Sequence, residues 1–172
     1  MDAQSHQEIV DDLESTASRL NIGVIADTHG LLRPQAEQAL AGVDLIIHAG
    51  DVGKGDVLER LGQIAPVVAI RGNIDTSGPA AQLPDTRMLE LAGHRVFLLH
   101  DIKTLEQPAA AGCDIIIAGH SHKPRNEMLD GVLYFNPGGA GRRRFTLPIT
   151  VGHLALAEGS IVGTIIELEQ SA

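Results

Sequence analysis

The chain has 172 residues, 44% of them hydrophobic but only 2% aromatic, so one domain is expected, with a core of Val, Ile, Leu and Ala. Twenty-two acidic against 13 basic residues give a net charge of −9, which repels polyanions and argues against bulk nucleic-acid binding. The single cysteine, Cys113, excludes an internal disulfide and a Cys-rich zinc module. No segment approaches the roughly 18 uninterrupted apolar residues of a membrane span, and Met1–Ser5 lacks the basic, apolar character of a signal peptide. A cytoplasmic protein with no membrane partner is therefore expected.

Residues 1–19 are polar, with weak helical spacing at Ile9, Leu13 and Leu20; they read as a mobile N-terminal extension outside the core. Residues 20–172 read as a single domain. A strand at 21–27 precedes a helix opening at Pro34, a good first-turn residue. A strand at 43–49, a helix at 55–64 and a strand at 66–71 complete a first βαβαβ half. Gly78-Pro79 and Pro84 mark a loop, after which Thr86–Leu91 and Arg95–Leu99 flank the turn Ala92-Gly93-His94 as a hairpin. A helix at 104–111 and a strand at 114–118 follow. The remainder is all-β: 126–129 and 132–135 around Asp130-Gly131, a Gly-rich loop at 137–141, then 149–157 and 161–168 around Glu158-Gly159-Ser160. Alternating βα units followed by hairpins predict an α/β (α+β) fold of two sheets packed face to face and flanked by helices, in four αββα layers.

Five of the apolar runs stop at residues that bind metals. The first ends in Asp27-Thr28-His29, the second in Gly50-Asp51, the third in Gly72-Asn73, the fourth in His100, and the fifth in Gly119-His120-Ser121-His122. Ligands of open α/β sheets bind beyond the carboxyl ends of the strands, so these stops can converge. Two carboxylates, one amide oxygen and four imidazoles, with no thiolate, suit Mn2+, Fe, Co, Ni or Zn better than Ca2+ or Cu(I). Seven donors exceed what one catalytic ion with an open position can take. Shared between two ions they leave room for water and substrate, with Asp51, central in chain order, as the bridge. Two ions roughly 3.5–4 Å apart clamp a displacement at phosphorus and acidify a bound water. They also let a net-acidic protein bind phosphate, because the ions dominate the local potential.

In this order, Asp27-x-His29, Gly50-Asp51, Gly72-Asn73-x-Asp75, His100 and Gly119-His120-x-His122 resemble the five blocks of the calcineurin-like metallophosphoesterase superfamily. The short length, Asn73-x-Asp75 and Asn136-Pro137-Gly138 resemble its small prokaryotic YfcE-like phosphodiesterase branch. The resemblance implies a hydrolase of phosphoric esters in which water or hydroxide bridging two divalent ions, Mn2+ foremost, attacks phosphorus. By the same similarity Asp27, His29, Asp51 and His122 would hold one ion, and Asp51, Asn73, His100 and His120 the other. The pattern departs from many superfamily members at Ile74, where they carry a His that serves the leaving group. Asp75 is the nearby ionisable residue, able to cap a turn, to orient a ligand, or to join Asp51 and Asn73 as a catalytic group, although a carboxylate near cations makes a poor general acid.

Asn136, Gly138 and Arg142 are the candidate substrate contacts, Arg142 within the run Arg142-Arg143-Arg144. His48, inside an apolar run, reads as a buried hydrogen-bonded residue, and His6, His94 and His153 as incidental. The substrate expected is a small phosphoester, with a nucleotide-like one among the options, and a homo-oligomer is left open. Two alternatives stand: a phosphomonoesterase of the same fold, and a non-catalytic scaffold resembling the retromer subunit, against which the full set of seven donors speaks.

Overall fold

Apolar β-branched runs form the sheets, and Gly, Pro and Asp-Gly punctuation ends them. In the computed structural model, which describes residues 3–169, the chain runs α1 (Ala3–Thr16), β1 (Arg19–Ile25), α2 (Pro34–Ala39), β2 (Leu45–His48), α3 (Val57–Gly62) and β3 (Val67–Ala69). A hairpin of β4 (Thr86–Leu91) and β5 (His94–Leu99) follows, then α4 (Gln107–Ala110), β6 (Ile115–Ile117), β7 (Arg125–Leu129), β8 (Val132–Asn136), β9 (Thr150–Ala157) and β10 (Ser160–Glu167). The helix expected over 104–111 is shorter than that: a 3-10 turn at Ile102–Thr104 precedes the four residues of α4, which has Pro108 in its first turn and Gly112 at φ +74° beyond its end.

Two mixed sheets result. One has the order β10-β9-β1-β2-β3, with β1, β2 and β3 parallel; the other has the order β4-β5-β6-β8-β7, with β5, β6 and β8 parallel. Register aligns the carboxyl ends of the parallel strands. Ile25 pairs with His48 and His48 with Ala69 in the first sheet, while Leu98 pairs with Ile117 and Ile117 with Phe135 in the second. Every loop that follows one of these strands therefore leaves from the same rim.

The sheets meet through Ile22, Val24, Leu45 and Ile47 on one side and Leu89, Leu98, Ile115 and Phe135 on the other. Each side chain of this size contributes about 1.5–3 kcal/mol on burial. Ile25 and Ile46 face outward onto Leu40 of α2's end and Leu61 of α3. Strands buried on both faces read as unbroken apolar runs. The outer face of the second sheet carries a thinner cover, in which Phe97 and Ile116 pack with Leu105, Ala110 and Cys113. The expected four-layer αββα fold class is borne out.

The N-terminal segment corrects an expectation. Residues 3–16 are helical and belong to the packing; Met1 and Asp2 lie outside the described residues, as do residues 170–172 at the end of the expected domain. The working stripe is His6, Val10, Leu13 and Ala17. Val10 is fully buried in the inter-sheet core, with Leu13 and Ala17 packed against it. The Nε2 of His6 lies 2.6 Å from Val67 O and 3.1 Å from Val67 N, and Glu90 N donates to Glu14 Oε1 at 2.9 Å. β3 and β4 are the edge strands on that side, so α1 closes the open flank of the sandwich and occupies backbone groups that would otherwise template pairing. His6 is thus not incidental, and neither are His94 and His153, whose Nε2 atoms lie 2.6 Å from Ala157 O and 2.7 Å from Ala39 O. Among the described residues no helix is long and apolar enough to cross a membrane.

If α1 is part of the core, Val10→Ala should lower the unfolding free energy by about 1–3 kcal/mol. A shifted urea midpoint with an unchanged slope would show this, whereas an unchanged midpoint would put the helix outside the cooperative unit.

Candidate metal centre

The rim where the strands end is built from residues in an unfavourable backbone state. Among the described residues eight non-glycine residues have positive φ: Asp27, His29, Asp51, His120 and His122, together with Ala92, Asp130 and Phe145. Ala92 and Asp130 precede glycines in tight hairpin turns, where this sign is needed. The first five are all metal-ligand candidates. Each such residue costs about 1–3 kcal/mol relative to ordinary backbone, which persists only where surrounding structure enforces it. Here the reversals fold each chain segment back at its strand end. Gly72 permits a close approach, since a Cβ there would collide with the backbone and carboxylate of Asp51.

Two clusters form, Asp27 with His29 and His122, and Asp51 with His100 and His120; within each, ligand atoms lie within 4.8 Å of one another. Asp51 joins them, its Oδ2 being 3.5 Å from His29 Nε2 and 3.3 Å from His100 Nε2. His122 Nε2 and His100 Nε2 are 3.6 and 3.9 Å from Asp27 Oδ1. Asn73 is exposed beside the second cluster, lining with His100 and Asp101 an open cavity of about 430 Å3. All seven predicted donors therefore stand on one rim.

The residues fit metal ions. Among the described residues the buried side-chain atoms without a hydrogen-bond partner are Asp27 Oδ2, His29 Nε2, His100 Nε2 and His122 Nε2, all in these clusters. Leaving such atoms unpaired costs about 1–3 kcal/mol each, and a cation would satisfy them together. His100 is oriented for this: its Nδ1 donates to Ala49 O at 2.8 Å, leaving the Nε2 lone pair toward Asp51. Burial beside Asp51 pushes the Asp27 carboxyl up to about 7. Burial also pushes Asp51 up, but the His100 ring 3.3 Å away, the Ile74 amide and the neighbouring imidazoles outweigh it and hold the group at about 2. Burial and the charge of Arg144 hold His122 down at about 4, so its ring is neutral and free to bind a cation.

A hydrogen-bonded frame supports the rim. Asp75, expected among the catalytic groups, is instead buried with both oxygens engaged: it accepts from Val52 N (3.1 Å), Gly53 N (2.9 Å) and Gly72 N (2.8 Å). It ties the Asp51 loop to the Asn73 loop, with both carboxylate oxygens taken up by backbone amides. His48 is buried and hydrogen-bonded, as the sequence suggests. Gly50 N donates to its Nδ1, so the neutral ring donates through Nε2 to Thr28 Oγ1 at 3.0 Å, and Thr28 donates on to Val52 O. Burial holds the His48 ring down at about 4.

Two substrate candidates are also corrected. Asn136 is buried, donating from Nδ2 to Gly119 O and Ser121 Oγ while its Oδ1 accepts from Gly138 N. Its amide braces the turn carrying His120 and His122. Gly138 is buried, and a Cβ there would collide with Thr150 Oγ1. Arg142 is exposed and makes no hydrogen bond or ion pair among the described residues, so it stays available. Arg144, in the run that the sequence offers only for Arg142, has a charge that reaches Asp27 and His122. Asp101 is half-buried with Oδ2 3.8 Å from His120 Nε2.

With this geometry in place, the family model described as the calcineurin-like phosphoesterase superfamily domain matches residues 20–159. The chain belongs to the calcineurin-like phosphoesterase superfamily. The resemblance read from its motif blocks is borne out, and the chain is a hydrolase of phosphoric esters. Within this superfamily a probable metallophosphoesterase of Methanothermobacter thermautotrophicus is 36% identical over 140 residues, covering 74% of this chain and 81% of the relative. The phosphodiesterase YfcE of Escherichia coli is 29% identical over 155 residues, covering 75% and 84%. Among solved structures, an archaeal phosphodiesterase superposes with a TM-score of 0.71 at 25% identity, covering 86% of this chain and all (100%) of that one. Vacuolar protein sorting 29 of Cryptosporidium parvum also gives 0.71, at 21% identity over 90% and 100%, and shares the fold alone.

Two outcomes follow from the superfamily centre as built. Because Asp27 holds its proton to about pH 7 in the metal-free protein, metal uptake should release protons near neutrality and weaken as pH falls below that value. Calorimetric titration in two buffers of different ionisation enthalpy would show it, and buffer-independent heats at a pH of about 7 would count against it. Asp75→Asn should weaken metal affinity about ten- to a hundred-fold while leaving the fold intact by circular dichroism.

Proposed function

We propose that this chain is a phosphodiesterase dependent on two divalent cations, Mn2+ in the first instance, acting in the cytoplasm on a small, nucleotide-like phosphodiester. The observation that carries it is the meeting of two ligand clusters at one carboxylate oxygen of Asp51, with four neighbouring buried atoms unpartnered. Asp27, His29, Asp51 and His122 would hold one cation, and Asp51, Asn73, His100 and His120 the other. Bound there, the cations would supply positive charge to a phosphoryl group and acidify water between them.

The chain's own residues do the rest. Asp51 is aimed by the Ile74 amide, which donates to its Oδ1 at 3.1 Å, so the oxygen between the clusters does not rotate. His100 and His48 are locked in single tautomers by Ala49 O and by Gly50 N. Preorganised groups of this kind cost no rearrangement when charge develops on the ester. Asn73 and Arg142 lie exposed on the rim, where a phosphoryl oxygen arrives.

The leaving group finds less help. Ile74 is 44% exposed beside Asn73 and has no proton to give, and Asp75 is turned into its amide cradle. The alcohol must therefore depart largely as its anion, which favours acidic leaving groups. Aryl phosphodiesters should be turned over at least about a hundred-fold faster than unactivated alkyl diesters, and equal rates would show a proton donor at work.

Reconstitution of chelator-stripped protein with Mn2+, Fe2+, Ni2+, Co2+ or Zn2+, assayed on paired mono- and diesters, tests the proposal. Diesterase activity should return with metal, and Asp51→Asn should lose at least about a hundred-fold of it. A monoester preference would replace the diesterase reading by the phosphomonoesterase one. No turnover of either with any metal would favour a binding platform.

A further inference from the structure

Seven of the eight left-handed non-glycine residues have an explanation in the metal rim or in a hairpin turn, and Phe145 is the eighth, with φ +52°. Leu147 N donates to Arg144 O at 3.1 Å, which makes residues 144–147 a tight turn with Phe145 at its second position. Turns with positive φ at that position take Gly, Asn or Asp, because those residues tolerate it. Here the sequence places a phenylalanine there and leaves it 89% exposed, the most exposed of the large hydrophobic side chains. Neither packing nor turn chemistry within the chain accounts for that choice.

The turn's position supplies a reason. Ala140 N and Gly141 N donate to Ala26 O and Asp27 O. A Cβ on Gly139 would lie 2.6 Å from His122 Nδ1, and one on Gly141 would collide with the carbonyls of Asp27 and Thr28. The segment is thus seated directly on the first ligand cluster. It then emerges as Arg142-Arg143-Arg144-Phe145, and four residues cannot carry Phe145 farther than about 14 Å from Gly141. Arg33 Nε donates to Gly141 O, and Arg143 Nε donates to Leu147 O and closes the turn. The Arg142 and Arg144 side chains have no hydrogen bond or ion pair among the described residues, in a chain whose net charge is −9. Unpaired guanidinium groups next to an exposed aromatic ring match an anion joined to a flat ring.

Resting on the phosphodiesterase reading above, we propose that Arg144 and Phe145 form its specificity element. Arg144 takes a phosphoryl oxygen of the bound ester, and Phe145 stacks on an aromatic ring carried by the alcohol that is not expelled. The substrates favoured are phosphodiesters bearing a flat ring, such as a nucleobase, on that side.

Two esters with one leaving group test this on the Mn2+-loaded full chain: the nitrophenyl ester of thymidine monophosphate and the nitrophenyl ester of methyl phosphate. The wild type should prefer the nucleoside ester in kcat/KM, and Phe145→Ala should cut that preference about ten-fold, mainly through KM. Phe145→Tyr should keep the preference. Phe145→Gly should lose it while melting no lower than the wild type, since glycine suits the turn. Arg144→Gln should lower both esters together. An unaltered preference in Phe145→Ala, or a lower melting temperature for Phe145→Gly, would overturn the assignment. If the wild type hydrolyses neither ester, the phosphodiesterase reading fails by itself. Calorimetric binding of thymidine monophosphate against methyl phosphate then decides the ring contact: a preference lost in Phe145→Ala supports it, and equal binding by wild type and variant overturns it.

Discussion

One carboxylate oxygen, Asp51 Oδ2, lies 3.5 Å from His29 and 3.3 Å from His100, and the organisation of the rim serves to keep it there. Asp51 has φ +54°, receives the Ile74 amide, and has its loop held by Asp75 from below. Strain is concentrated where donors must point at a common place rather than at their own sheet. A folded domain is stable by only about 5–15 kcal/mol. Five left-handed ligand candidates and four unpartnered buried atoms are therefore a large concession, and bound cations would relieve much of it by engaging only the folded state.

The sandwich makes that concession tolerable. Its two sheets present parallel strands with aligned carboxyl ends, and the aliphatic core between them is nearly free of polar groups except at this edge. Binding between the sheets brings donors from remote parts of the chain together: Asp27 lies 93 residues from His120, yet His120 N is 3.3 Å from its carboxylate. Amides and imidazoles behind the donors then fix direction. His48 and Thr28 link the first two loops, and Asn136 braces the turn of His120 and His122.

Strand-end donors were legible in the sequence because each is a short polar stop after an apolar run, and the chemistry of that position is general. So was the sandwich, from βα alternation followed by hairpins. What the sequence hid is contact between distant segments. Val10 looks unremarkable in a polar stretch, because its burial depends on two sheet edges that only the fold creates. Asn136 and Gly138 lie in a Gly-rich motif that suggests a ligand, but their donors and space are consumed by Gly119, Ser121 and Thr150. Asp75 looks catalytic by proximity in sequence, yet three amides claim it. Arg144 acts by its charge on Asp27 and His122, a proximity across the fold that spacing alone does not encode.

The central claim is that the rim holds two cations side by side, and anomalous scattering from crystals grown with Mn2+ measures that directly. The account predicts two peaks, one among Asp27, His29 and His122 and one among Asp51, His100 and His120, with Asp51 touching both. A single peak, or none with those side chains in place, would contradict it.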